Sequence, residues 1–239
     1  MAGQTNQILV LLVILVLIFV YLIIRFIRFC DRYRLADWGG KFPNRIAGVI
    51  SCFVHRYHGL AMKPIPLPDK GPAIVVCNHI SGLDPLVLIA ATPRPLRFLI
   101  AREEYERFGL QWLFRLGQCI PVERDKKPEQ AMRAALRALE EGEVVALFPH
   151  GKIHLPGEMP ARIKGGAVRL SQITGSPVYP LHVEGVKGAG HTLLAIPLRS
   201  SIRLSAHPPL IFEQGSSDQN IRKLQEMIET SIQVNSEYS

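Results

Sequence analysis

A histidine and an aspartate five positions apart, His79 and Asp84, are the pair in this chain best suited to proton transfer. They lie in the stretch Ile74-Val75-Val76-Cys77-Asn78-His79-Ile80-Ser81-Gly82-Leu83-Asp84-Pro85. Four apolar residues run into Asn78-His79, a short polar loop follows, and Asp84-Pro85 opens a second apolar run. A carboxylate on one imidazole nitrogen fixes the ring's tautomer and leaves the other nitrogen to accept a proton. Residues five apart do not share a helix face, where the neighbours are i+3 and i+4. The two side chains therefore meet only if the loop doubles back. The plainer reading is a helix cap beside an ordinary loop histidine, and spacing by itself leaves both open.

The flanking elements favour a site. Residues 74–77 are short, β-branched and preceded by Gly71-Pro72, which reads as a buried strand. Asp84 then reads as an N-cap with Pro85 at the first helical position. Further strands are expected at 96–100, 118–122, 144–148, 177–183 and 200–206, and helices at 103–116, 128–141, 164–174 and 220–232. Strands alternating with helices predict an α/β domain over 64–239, a mixed sheet of about six or more strands flanked by helices. Three loops after strands carry the polar residues: 78–84, 123–127 and 149–164. Ligands of open α/β sheets bind beyond the carboxyl ends of the strands, so these loops are expected around one site. Lys164 ahead of Gly165-Gly166 suits a phosphate at a helix N-terminus; the alternative is a glycine-lined turn with a solvated lysine.

Length and composition bound the rest. The chain has 239 residues, 48% of them hydrophobic, and a net charge of +8, enough for one sizeable domain and an appendage. Cys30, Cys52, Cys77 and Cys119 form no C-x-x-C pair and read as reduced, buried thiols. Every residue from Ile8 to Ile24 is apolar, about the length that crosses a hydrocarbon core. Arginines follow this run rather than precede it, so residues 1–28 read as an uncleaved membrane anchor. Between Arg25 and Lys63 there are eight Lys/Arg against Asp31 and Asp37, which places +6 of the net charge beside the anchor. That asymmetry puts the catalytic domain on the cytoplasmic face and draws the segment to anionic lipid. It also argues against a nucleic-acid partner. Residues 29–63 are expected to include an amphipathic helix that lies in the interface or docks on the domain, with His55 and His58 on a solvated basic face. Nothing in the sequence sets the oligomeric state.

The mechanism is narrowed by what is missing. The sequence has no G-x-S-x-G elbow and no cysteine in an activating setting. A covalent intermediate is disfavoured against a base that deprotonates an acceptor hydroxyl directly. His150 and His154 stand four apart, but Pro149, Gly151, Pro156 and Gly157 forbid the regular helix that a metal pair would use, so no metal is expected.

Four blocks together resemble the glycerolipid acyltransferases of the 1-acylglycerol-3-phosphate acyltransferase family. Asn78-His79-x4-Asp84 looks like the first motif and Gly117-x-x-Ile120-Pro121-Val122-x-Arg124 the second. Phe148-Pro149-His150-Gly151 is similar to the third and Pro177-Val178-Tyr179-Pro180 to the fourth, with Lys164-x-Gly166-Ala167 fitting between. The resemblance implies O-acyl transfer from an acyl-CoA or acyl-carrier-protein thioester to a lysophospholipid hydroxyl, by default that of 1-acylglycerol-3-phosphate, with no other cofactor. It implies His79 as general base and Asp84 as its orienter. Asn78, Arg124, Gly151, Lys152, Lys164 and Pro180 would be substrate-binding residues, with Arg124 on the acceptor's phosphate. The third block departs from the family: His150 stands for Glu, Lys152 for Thr and Ile153 for Arg. Lys152 or Lys164 would restore the positive charge. The segment 148–153 looks closer to the acyltransferase domain of the 2-acylglycerophosphoethanolamine enzymes, so another lysolipid such as lysophosphatidylethanolamine is an alternative acceptor. Two rivals remain at this level. One is a metal-dependent lipid hydrolase using His79, Asp84, His150 and His154; the other is a catalytically silent lipid binder.

Overall fold

The computed structural model describes residues 2–61, 63–123, 128–155 and 162–230. Helix α1 (Ala2–Cys30) is followed by a 3-10 turn and by α2 (Lys41–Tyr57). The α/β domain then runs β1 (Ala73–Cys77), α3 (Asp84–Ala91), β2 (Leu96–Ala101), α4 (Arg102–Tyr105), α5 (Gln111–Leu116), β3 (Ile120–Val122), α6 (Pro128–Glu140), β4 (Val144–Leu147), α7 (Gly166–Thr174), β5 (Val178–Glu184), β6 (Arg203–Ala206) and α8 (Ser217–Glu229).

The six strands form one mixed sheet in the order β3-β2-β4-β1-β5-β6. The first five are parallel, and β6 lies antiparallel on β5. The central strand β1 is buried at all five positions, as a strand covered on both faces must be. Its side chains alternate. Ala73, Val75 and Cys77 join Val54, Leu83, Val87 and Leu88 in one core layer; Ile74 and Val76 join Ala135, Leu139, Val168, Leu170 and Leu224 in the other. Helices α2 and α3 thus cover one face, and α6, α7 and α8 the other. At the amino edge of the sheet the Arg94 guanidinium ties three loops together, donating to the carbonyls of Pro68, Gly71 and Gly142 at 3.0, 2.8 and 2.6 Å.

The segment 103–116 is not one helix. Gly109 at φ +82° takes a left-handed conformation that a continuing helix does not allow, and the chain turns there to give α4 and α5. Helix α2 docks on the domain rather than lying free: Ala47, Gly48, Ser51, Cys52, Val54 and His55 are buried. The expected basic face at His55 and His58 is therefore internal, with His58 fully buried. The His55 ring nitrogens lie 2.8 and 3.2 Å from the carbonyl oxygens of Leu60 and Ala90. Among the described residues one stretch, Asn6–Tyr33, is long and apolar enough to cross a membrane, and none of its most apolar window is covered by the rest of the chain. The closing helix was expected to reach Ile232, which lies outside the described residues.

Candidate active site

Strand β1 ends at Cys77, and the chain turns over six residues before α3 begins at Asp84. Asp84 is not the cap of α3. Leu83 occupies that position without a side-chain bond, and Asp84 is the first helical residue with Pro85 behind it. Its carboxylate instead turns back over the loop. Oδ2 accepts the backbone N–H groups of Ile80 and Ser81 at 2.7 and 2.8 Å, and Oδ1 accepts the Ser81 hydroxyl at 2.8 Å. His79 Nδ1 lies 2.9 Å from the same Oδ2. A carboxylate oxygen can only accept, so Nδ1 carries the proton and Nε2 keeps its lone pair. Asp84 is fully buried, whereas the His79 side chain is 19% exposed. Four donors around one buried carboxylate keep the charge satisfied where water cannot.

The imidazole is held from several sides. It stacks on Phe148 beyond the end of β4, with centroids 4.3 Å apart and planes inclined by 22°. The His79 carbonyl accepts from the His154 N–H at 2.7 Å, and the Ile80 carbonyl from the Gly190 N–H at 2.8 Å. The Gly82 N–H donates to the His191 carbonyl at 3.3 Å. Gly82 packs so closely on the 188–192 strap that a Cβ there would stand 1.9 Å from the Thr192 carbonyl oxygen. Phe148, Ser81, Gly82 and the strap were not singled out from the sequence as parts of the site. Phe148 opened a recognised block, and Gly188-Ala189-Gly190 was the only local sign of a close backbone approach.

The other candidate residues divide. Asn78 is buried and both ends of its amide engage Val183: Nδ2 donates to the carbonyl at 2.8 Å and Oδ1 accepts the N–H at 2.7 Å. The side chain extends the β1–β5 ladder by one step. Pro180 is buried within β5 opposite Val76, inside the sheet rather than at the site's edge. Gly151 and Lys164 are together: Gly151 has φ +71°, and a Cβ on it would lie 3.2 Å from Lys164 Nζ. The Lys164 N–H donates to the Pro149 carbonyl at 2.9 Å, which pins the start of α7 to the third block. Lys152 is exposed on the same turn. Arg124 lies outside the described residues. Just before it, Glu123 pairs with Arg102 at 3.0 Å.

Burial disfavours the charged forms of Cys77, Cys119 and His150. Burial, with the Asp84 charge adding to it, pushes the Cys77 thiol well above its ordinary range; it is no thiolate nucleophile. Burial likewise raises Cys119 to about 11. His150 is lowered chiefly by burial, and the Glu229 carboxylate, 3.4 Å from its Nε2, opposes the shift. Its ring stacks on His154 at 4.8 Å. Among the described residues no three His, Cys, Asp or Glu side chains are placed to hold one metal ion. What the arrangement offers is an oriented, partly exposed imidazole, with a lysine on the neighbouring turn.

Comparison with known proteins agrees with this chemistry. The family model described as Acyltransferase matches residues 59–184. The N-acylphosphatidylethanolamine synthase of Arabidopsis thaliana is 33% identical over 124 residues, covering 48% of this chain and 43% of that protein. A probable 1-acyl-sn-glycerol-3-phosphate acyltransferase of Mycoplasma genitalium is 31% identical over 126 residues, covering 50% of this chain and 46% of that one. The chain spans about half the length of the curated relatives it matches. Its fold is similar to the crystal structure of the 1-acyl-sn-glycerophosphate acyltransferase PlsC from Thermotoga maritima, with a TM-score of 0.59 and 20% identity over 78% of each chain.

Proposed function

Since the chain belongs to the acyltransferase family, we propose that it transfers an acyl group from a thioester donor, acyl-CoA or acyl-carrier protein, to a lysophospholipid hydroxyl. The observation that carries this reading is the 2.9 Å contact between His79 Nδ1 and the buried Asp84 carboxylate. With Nδ1 engaged, Nε2 takes the proton of the acceptor hydroxyl as its oxygen attacks the thioester carbonyl. The tetrahedral intermediate collapses with loss of the C–S bond, and the thiolate leaves with the proton that His79 returns. One C–O bond replaces one C–S bond and no enzyme acyl group forms. Asp84 stabilises the imidazolium between the two proton transfers.

The default acceptor is 1-acylglycerol-3-phosphate. Support comes from Lys164 beside Gly151, from Lys152 on the same turn, and from Arg124 in the second block. A second acceptor class, a lysolipid with an amino headgroup, is favoured by one observation: His150, in the block where the family usually carries Glu, is buried and backed by Glu229. Helix α1 would anchor the enzyme in the bilayer. Its exposed side chains from Ile8 to Ile24 would each cost about 1.5–3 kcal/mol to leave in water, and lipid removes that cost. The arginines that follow would hold the domain on the cytoplasmic side.

The test is the enzyme in vesicles with labelled acyl donors and a panel of lysolipids, the product identified by mass. We expect a diacyl phospholipid, and His79→Ala to lower kcat by about 10²–10⁴-fold without a change in melting temperature. Product formation by the variant at the parent rate would remove His79 from the chemistry.

A further inference from the structure

The connection between β2 and β3 carries an apolar tip that the domain does not use. Strand β2 ends at Ala101 and β3 begins at Ile120, which pairs with Leu99. The intervening 18 residues thus leave and re-enter the sheet at nearly the same level, at the carboxyl edge where β1 delivers His79. At the Gly109 turn Phe108 is fully exposed, and Trp112 is 53% exposed. The Trp112 indole N–H donates to the Gly109 carbonyl at 2.9 Å, so its polar atom is satisfied locally and the ring presents an apolar face. Phe42, at the start of α2 and 58% exposed, leans on that ring with centroids 6.3 Å apart. The rim is cationic on balance, with Glu103 also exposed on the same connection. Lys41, Arg45 and Arg115 are exposed and have no acidic partner among the described residues, whereas Arg102 and Arg107 are balanced by Glu106 and Glu104.

We propose that Phe108, Trp112 and Phe42 form a second lipid contact, inserting into the interface of an anionic membrane beside the mouth of the site. Phe42 lies in the basic stretch that leaves α1, so the patch continues the surface that the anchor holds to the bilayer; in this the proposal rests on the membrane reading of α1. Amphipathic rings with a satisfied polar end suit the headgroup level, and unpaired cations on the rim suit anionic headgroups. A second contact beside the anchor would fix the domain's tilt. The carboxyl edge of the sheet would then face the lipid, and a lysolipid could reach His79 without entering water.

The chain has two tryptophans, Trp38 and Trp112, so Trp38→Phe leaves Trp112 as the only indole. The full-length variant is placed in phosphatidylcholine–phosphatidylglycerol vesicles with or without bromine on the upper acyl chain. Bromolipid should remove most of the Trp112 emission and aqueous iodide little of it. Phe108→Ser in the same background should restore iodide access. A second variant, Phe19→Trp with both native tryptophans replaced by Phe, reports on α1. Quenching of position 19 by bromolipid with none at Trp112 overturns the patch and leaves the anchor standing. No quenching at either position overturns both. Trp112 shielded from bromolipid and iodide alike would mean that protein covers it, which also overturns the proposal.

Discussion

His79 and Asp84 are held as a pair because the loop that delivers the imidazole is folded around the same buried carboxylate. Asp84 is fully buried and holds the loop through Ile80, Ser81 and His79 at once. Asp84→Asn keeps the shape and removes the charge. The imidazole then loses the anion that fixes its tautomer and that would stabilise its protonated form. We expect kcat to fall by about 10²–10⁴-fold with acceptor KM nearly unchanged; a variant that changes KM alone would show that Asp84 serves binding. The neighbouring Cys77 gives the opposite expectation. Its thiol is buried and held protonated, so thiol-alkylating reagents should leave the folded enzyme active. Inactivation that tracks modification of Cys77 in the native state would contradict the direct-attack mechanism. The pairing of His79 with Asp84 was legible as two chemically suited residues at the mouth of a strand. The way Asp84 turns back was not, because Asp-Pro before an apolar run reads equally well as a cap.

Elements hold the site by contacts that no local pattern reveals. The alternating and continuous apolar runs disclosed the six strands and most of the helices between them, though not the strand directions, since burial imposes those periods directly. The strap at 188–192 left only a glycine pair, because its partners Ile80 and Gly82 lie more than 100 residues upstream. The same distance hid the role of Asn78, whose amide completes the pairing of β1 with Val183. The break at Gly109 went unread because residues on both sides of it keep an amphipathic helical period. Gly82 makes the dependence testable. Its own loop would accept a side chain, but the Thr192 carbonyl occupies that space. Gly82→Ala should push the strap and the His79 loop apart, costing about 1–3 kcal/mol by overpacking, and should lower kcat more than KM. Denaturant midpoints and steady-state rates measure the two effects. Unchanged values for both would mean that the strap yields freely and does not position His79.

At the scale of the whole molecule, two buried histidines join parts of the fold that are distant in sequence. His58 ends α2, fully buried, with its carbonyl accepting the Ile202 N–H at 3.0 Å and its ring edge-on to Phe53 and Tyr57. His150 joins the third block to α8 through Glu229. Burial lowers both imidazoles; the Ile196 carbonyl weakly opposes the shift at His58, and Glu229 opposes it at His150. A lowered folded value means that the unfolded chain binds more protons once pH falls below the ordinary imidazole value of about 6.5. The contribution is therefore complete above that pH and is lost as pH drops through the folded values, at up to about 1.4 kcal/mol per pH unit for each extra proton. Glu229 makes the loss smaller at His150, since its carboxylate rewards protonation of the ring. His58 has no such carboxylate and should dominate the acid limb. Replacing it with an uncharged ring of similar bulk, His58→Phe, keeps the aromatic packing against Phe53 and Tyr57 and removes the titration. Melting temperatures of the enzyme between pH 7.5 and 5 should then fall less steeply than those of the parent. Parallel profiles would mean that His58 takes up its proton without leaving the folded state, and that acid sensitivity enters the molecule elsewhere.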